Sequence, residues 1–132
     1  MTRWAMVADL RRCVGCQTCT ASCKVTNATP PGVQWRRVID MEFGEYPEVQ
    51  RAFVPVGCQH CDEPSCVAAC PSTATRKRAD GIVTMDYDLC IGCAYCAVAC
   101  PYQARYRTLR ASFAYGEPID SEAMTHKEAR LA

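Results

Sequence analysis

Three cysteine groups limit what this chain can fold into more than any other feature. Cys13, Cys16, Cys19 and Cys23 follow Cys-x2-Cys-x2-Cys-x3-Cys, and Cys90, Cys93, Cys96 and Cys100 repeat that spacing. Cys58, Cys61, Cys66 and Cys70 differ only by a longer gap between the second and third members. Together they account for 12 cysteines in 132 residues, about 9%. At that density a short secreted chain would be read as a disulfide scaffold, but six bridges need no such regular period. Zinc takes four ligands in two knuckles separated by a longer stretch, whereas each group here supplies four thiols within 11 to 13 residues.

Thiolates at this spacing suit iron-sulfur chemistry. Three cysteines three residues apart, with glycine or small residues between them (Val14-Gly15, Ile91-Gly92), let a loop wrap three corners of a cubane cluster. The fourth lies one helical turn beyond the third, and in the two-cluster run Cys-x2-Cys-x2-Cys-x3-Cys-Pro it ligates the other cluster. Pro71 follows Cys70 and Pro101 follows Cys100, and proline turns the chain out of its helix. An internal repeat agrees: Cys66-Val-Ala-Ala-Cys70-Pro71 returns 30 residues later as Cys96-Ala-Val-Ala-Cys100-Pro101. A duplicated unit folded back on itself places each loop beside the other unit's helix. The expected ligand sets are therefore Cys58, Cys61, Cys66 and Cys100 for one cluster, and Cys90, Cys93, Cys96 and Cys70 for a second.

The first group has no such partner. Cys13, Cys16 and Cys19 offer three corners of a third cluster; Cys23 bends back to complete it, an outside thiolate does so, or the site stays partly filled. The cofactors expected are thus two complete 4Fe-4S clusters, with a third open at the N-terminal group. Between the duplicated units, Ala74 to Met85 reads as two short strands joined at Ala79-Asp80-Gly81. Pro30-Pro31-Gly32 reads as a turn before a strand-like Val33 to Ile39. The fold class expected is α+β, ferredoxin-like, with duplicated 4Fe-4S binding units, short helices and β-hairpins. One domain spans 1–132: an N-terminal cysteine loop and insertion (1–57), the two-cluster core (58–107) and a polar tail (108–132) read as a helix capped near Asp120 or Ser121.

Several of these segments resemble a known family. Cys-Val-Gly-Cys-Gln-Thr-Cys-Thr-Ala-Ser-Cys-Lys from Cys13, Pro30-Pro-Gly-Val, Cys58-Gln-His-Cys, Asp80-Gly-Ile-Val and Tyr87-Asp-Leu-Cys-Ile-Gly-Cys look like the iron-sulfur electron-transfer subunits of molybdopterin oxidoreductases, the dimethyl sulfoxide reductase-like enzymes. The resemblance covers residue 3 to about 116. It implies a ferredoxin-like core that passes electrons between a molybdopterin catalytic subunit and a membrane anchor or quinone-reactive subunit. Members of that family usually carry a fourth cysteine group near the C-terminus, sharing ligands with the first, and no fourth group follows Cys100 here. A shortened chain, or a member that has lost clusters, is the expectation. A free-standing two-cluster ferredoxin-type carrier is the alternative function, and a zinc-stabilised interaction module a weaker third.

Charge excludes other classes. With 15 Lys and Arg against 14 Asp and Glu, no net basic field favours nucleic acid. The N-terminus lacks an uninterrupted apolar region of signal type, and the stretch from Leu89 to Ala104 is short of the ~20 residues of a membrane span. Membrane association through partners is expected, on a side left open. Electron storage needs no general base or nucleophile, so no catalytic residue is assigned. Arg36-Arg37, Arg76-Lys-Arg78 and Arg105, Arg107 and Arg110 would raise cluster potentials if they stood near sulfur, although runs of this kind usually form solvated faces. His60, between two ligands, is given a supporting or surface role. Trp4, Trp35, Tyr46, Tyr102 and Tyr106 are read as core or interface packing rather than an electron path.

Overall fold

The structure, a computed structural model, describes residues 2–108 together with 113, 116, 117 and 120. The expected helix of the polar tail lies, Asp120 apart, outside the described residues. Three helices each follow a cysteine loop: α1 (Thr18–Asn27), α2 (Ser65–Ala68) and α3 (Tyr95–Ala99). Two antiparallel hairpins complete the fold, β1 (Arg36–Phe43) with β2 (Gln50–Gly57) and β3 (Thr75–Lys77) with β4 (Val83–Met85).

Proline sets the helix lengths. Pro71 and Pro101 have no N–H to continue a helix and push the preceding residue toward extended backbone. Helix α3 accordingly stops at Ala99, with Cys100 extended at φ −82° and ψ 111°. Lys24 follows Cys23 instead of a proline, so α1 continues through Cys23 for another turn to Asn27. The ammonium of Lys24 then closes the end of α1, donating to the carbonyls of Thr29 (2.9 Å), Pro30 (2.9 Å) and Val33 (3.2 Å). This fixes the Pro30-Pro31-Gly32 turn against the helix.

The hairpin between the cysteine units forms where expected. Asp80 accepts the Ile82 N–H at 3.2 Å, and Gly81 takes φ +89°, which glycine adopts at no steric cost. The earlier strand differs from expectation: it starts at Arg36 rather than Val33, extends to Phe43, and pairs with a second strand, Gln50–Gly57, that the residue pattern did not reveal. The middle of β2 packs on the first cysteine loop, where a Cβ at Gly15 would lie 2.5 Å from the Phe53 ring.

Among the described residues, the buried hydrophobic side chains are Val33, Cys66, Ala74 and Val83. At roughly 1.5–3 kcal/mol for each large apolar side chain, so small a set gives little cohesion to a domain of this size. Cysteine sits within that core, consistent with a fold that relies on a bound group rather than on packing alone.

Candidate metal centre

The cysteine loops share a backbone device. In each, the residue two positions after the first cysteine is left-handed: Gly15 (φ +68°), His60 (φ +45°) and Gly92 (φ +69°). A second left-handed residue follows the second cysteine in the first and third loops, Gln17 (φ +60°) and Ala94 (φ +63°). Alternating right- and left-handed residues aim successive N–H groups into the concavity of a loop, as in an anion-binding nest. A further pair follows the fourth cysteines, Thr73 (φ +55°) after Cys70 and Gln103 (φ +50°) after Cys100. These paired positions are the structural imprint of the sequence repeat.

The two duplicated units meet at their cysteines. Cys58, Cys61, Cys66 and Cys100 line one small cavity with Pro64, Val83 and Arg105. The last of these cysteines belongs to the other unit's sequence group, and Pro101 is what turns its backbone there. The Cys96 thiol, in turn, is influenced by the charges of Cys90, Cys66 and Cys70, from both sequence groups. Contact between α2 and α3 holds the arrangement, with Ser65 Oγ donating to the Ala99 carbonyl at 2.9 Å.

Donors await the sulfurs. The Thr75 N–H, five residues after Cys70, points at Cys70 Sγ (3.5 Å), and the Ala104 N–H, four residues after Cys100, points at Cys100 Sγ (3.4 Å). The Thr75 amide is the main reason the Cys70 thiol falls to about 7 from its ordinary 9.0. Thr75 Oγ1 is buried without a hydrogen-bond partner and stands on the side of the same sulfur, whose ionised form it favours. Burial pushes the Cys96 thiol up, reinforced by the Cys90, Cys66 and Cys70 sulfurs and opposed by Arg105. At Cys16 the Thr18 hydroxyl, 3.2 Å away, lowers the thiol.

This donor set fits a 4Fe-4S cluster. The candidate ligand atoms are soft sulfurs, N–H groups face two of them, and a buried hydroxyl lies beside one. A zinc ion would bring four sulfurs to ~2.3 Å from one point; among the described residues no three His, Cys, Asp or Glu side chains are grouped to hold a single ion. None of the 12 cysteines forms a disulfide.

The first group stands apart. Cys13 and Cys23 are partly exposed and Cys16 and Cys19 exposed. Because α1 continues uninterrupted past Cys23, the backbone does not bend back there; Cys23 instead lines a cavity shared with Trp35, Cys58, His60, Arg105 and Tyr106.

Side chains near the loops take roles that spacing could not reveal. His60 Nδ1 accepts the Val83 N–H at 2.9 Å, tying the second cysteine loop to β4. Arg76, Lys77 and Arg78 are paired with Asp86, Asp62 and Asp80, and Arg37 donates to the Tyr102 carbonyl. The Arg76–Arg78 run is thus a compensated solvent face. Trp4, Tyr46 and Tyr102 are exposed, outside the core, whereas Trp35 and Tyr106 line the cavity beside Cys58.

Known proteins place these features in context. The chain is 52% identical over 103 residues to the B subunit of the selenate reductase of Mesobacillus selenatarsenatis, a match covering 78% of this chain and 35% of that protein. It is 49% identical over 107 residues to the B subunit of the tetrathionate reductase of Salmonella typhimurium, covering 79% and 42%. To the B subunit of the sulfite dehydrogenase of Allochromatium vinosum it is 44% identical over 121 residues, covering 80% and 50%. The chain thus spans from about a third to about half the length of these curated relatives. Residues 49–114, half of the chain and including both duplicated units with their hairpin, match the family described as the 4Fe-4S dicluster domain. The chain belongs to that family, with a ferredoxin-like iron-sulfur fold built for electron transfer.

Proposed function

We propose that this chain is the electron-transfer subunit of a molybdopterin oxidoreductase complex, relaying electrons between a catalytic subunit and a membrane quinone-reactive subunit. The observation that carries the reading is the convergence of Cys100 on the cavity of Cys58, Cys61 and Cys66. Relatives named as B subunits of selenate and tetrathionate reductases and of sulfite dehydrogenase support the wider setting.

In this reading Cys58, Cys61, Cys66 and Cys100 hold one cluster, and Cys90, Cys93, Cys96 and Cys70 hold the second. Cys13, Cys16 and Cys19 supply three corners of a third, completed by a thiolate from beyond this chain's 12 cysteines, with Cys23 left to serve elsewhere. A 4Fe-4S cluster stores and releases one electron with little change of shape. The protein's part is to hold the sulfurs ionised, aim N–H groups at them, and keep water from the buried side. The Thr75 and Ala104 amides do the second of these. Among the described residues no helix is long and apolar enough to cross a membrane; in this scheme the membrane subunit is a partner.

Isolation of the native assembly tests the reading. The chain co-purifies at fixed stoichiometry with a large protein that contains molybdenum and releases a fluorescent pterin on denaturation. Its reduced clusters reoxidise on adding a quinone only while the membrane partner remains in the complex. Recovery of a free, cluster-loaded monomer with no such partner would instead favour the ferredoxin-type carrier.

A further inference from the structure

Of the cationic side chains near the cysteine loops, Arg105 differs from the rest. Its guanidinium donates to Cys66 Sγ at 3.8 Å, and it lines both the cavity of Cys58, Cys61, Cys66 and Cys100 and the adjoining one that contains Cys23. Its charge is also felt at the Cys96 thiol, in the other ligand set. Arg3, Arg11, Arg51, Arg76, Lys77 and Arg78 are paired with aspartates. Arg105 is partly buried and has no carboxylate partner among the described residues.

We propose that Arg105 is the residue that sets the potential of the Cys58–Cys61–Cys66–Cys100 centre, holding it above that of its neighbour; this rests on the crossed ligand sets proposed above.

The physics is simple. Each cluster with four thiolates carries a net negative charge, and an added electron makes it more negative by one. A fixed positive charge on a ligand sulfur favours the reduced form, more so where burial weakens solvent screening. Arginine suits the position because it stays protonated at any working pH and its planar fork aims N–H groups at a fixed acceptor. An aspartate beside it would cancel the effect, as happens at Arg76, Lys77 and Arg78. The position in the chain explains the contact: Cys100 and Pro101 turn the backbone back across α2, and the Ala104 N–H to Cys100 Sγ bond fixes the segment that projects Arg105 toward Cys66.

The test is a redox titration, followed by electron paramagnetic resonance, of the cluster-loaded chain and its R105Q, R105K and R107Q variants. In R105Q one of the two midpoints falls so that, at the wild-type midpoint, the oxidised-to-reduced ratio rises about tenfold, equivalent to about 59 mV for one electron. R105K, which keeps the charge, recovers most of that shift, and R107Q, at an exposed position, moves neither midpoint. The centre that moves is the one lost in C58S, not in C90S.

Unchanged midpoints in R105Q with its iron intact would overturn the proposal, as would an equal shift of both. If R105Q loses its iron, wild-type chain labelled with 15N in the arginine side chains decides: the reduced centre absent from C58S shows a side-chain 15N coupling that R105K lacks, and absence of that coupling overturns the proposal. Iron well below eight atoms per chain in the wild type would instead defeat the ligand sets, a failure distinct from that of Arg105.

Discussion

Replacing Cys100 with serine separates crossed from local ligation. If each sequence group held its own cluster, Cys100→Ser would damage the centre of Cys90, Cys93 and Cys96. In the structure Cys100 is held extended before Pro101 and faces Cys58, Cys61 and Cys66, with its sulfur accepting the Ala104 N–H. The substitution thus leaves three thiols around that cavity and, on the ligand sets proposed above, all four thiolates of the other. A hydroxyl is a poor, hard ligand for iron at neutral pH. The expected loss is one cluster: about four irons and about four sulfides per chain, and half of the spin that the two centres contribute on full reduction. The drop is the same whether or not the N-terminal group is loaded. Iron analysis gives the size of the loss, and paramagnetic resonance of the reduced protein gives its identity by comparison with C58S and C90S. The centre surviving in C100S should match that surviving in C58S, and Cys70→Ser should give the reciprocal result. A C100S spectrum matching C90S, or loss of both centres alike, would refute crossed ligation.

Three further outcomes are expected. Gly15→Ala places a side chain on a left-handed residue, at about 1–2 kcal/mol, and drives it into the Phe53 ring, at about 1–3 kcal/mol; anaerobic denaturation should show a loss of about 2–5 kcal/mol, part of it recovered when Phe53→Ala is added, and an unchanged midpoint would contradict the packing. Lys24→Met removes the ammonium that gathers the Thr29, Pro30 and Val33 carbonyls beyond the end of α1; the Pro30 and Val33 carbonyls keep the Val33 N–H and the Thr29 hydroxyl, so the cost by the same assay should be about 1–3 kcal/mol, and a neutral result would mean that water replaces the ammonium. In the metal-free, reduced chain, Cys70 should alkylate with an inflection near pH 7 because the Thr75 N–H depresses its thiol. The sign follows: with a folded value below the ordinary 9.0, Cys70 adds stability above pH 9 that fades as pH falls through 7. An inflection near 9 would show that the amide does not reach the sulfur without the cluster.

What the residue pattern disclosed was the part of the fold dictated by local chemistry. The cysteine spacing, the two prolines and the glycine of the Asp80-Gly81 turn each restrict the backbone directly, and the loops, short helices and second hairpin follow from them. The strand Gln50–Gly57 was hidden because it lacks clean alternation and contains Pro55, which a two-stranded sheet tolerates because each strand keeps one open edge. Contacts between distant residues were equally hidden. Nothing near His60 announces that its partner is Val83, 23 residues on, and nothing in the runs of arginine distinguishes those neutralised by aspartate from Arg105 on the Cys66 sulfur. The fate of Cys23 depended on whether α1 would stop; without a proline after it, the helix continued.

Iron and acid-labile sulfide per chain, measured on anaerobically purified native protein, bear most directly on whether interlocked thiolates hold cubane clusters here. About eight atoms of each are expected, rising to about twelve where the N-terminal group is filled, with a brown colour that bleaches on reduction. A colourless, iron-free protein, or one that holds zinc without sulfide, would contradict the account.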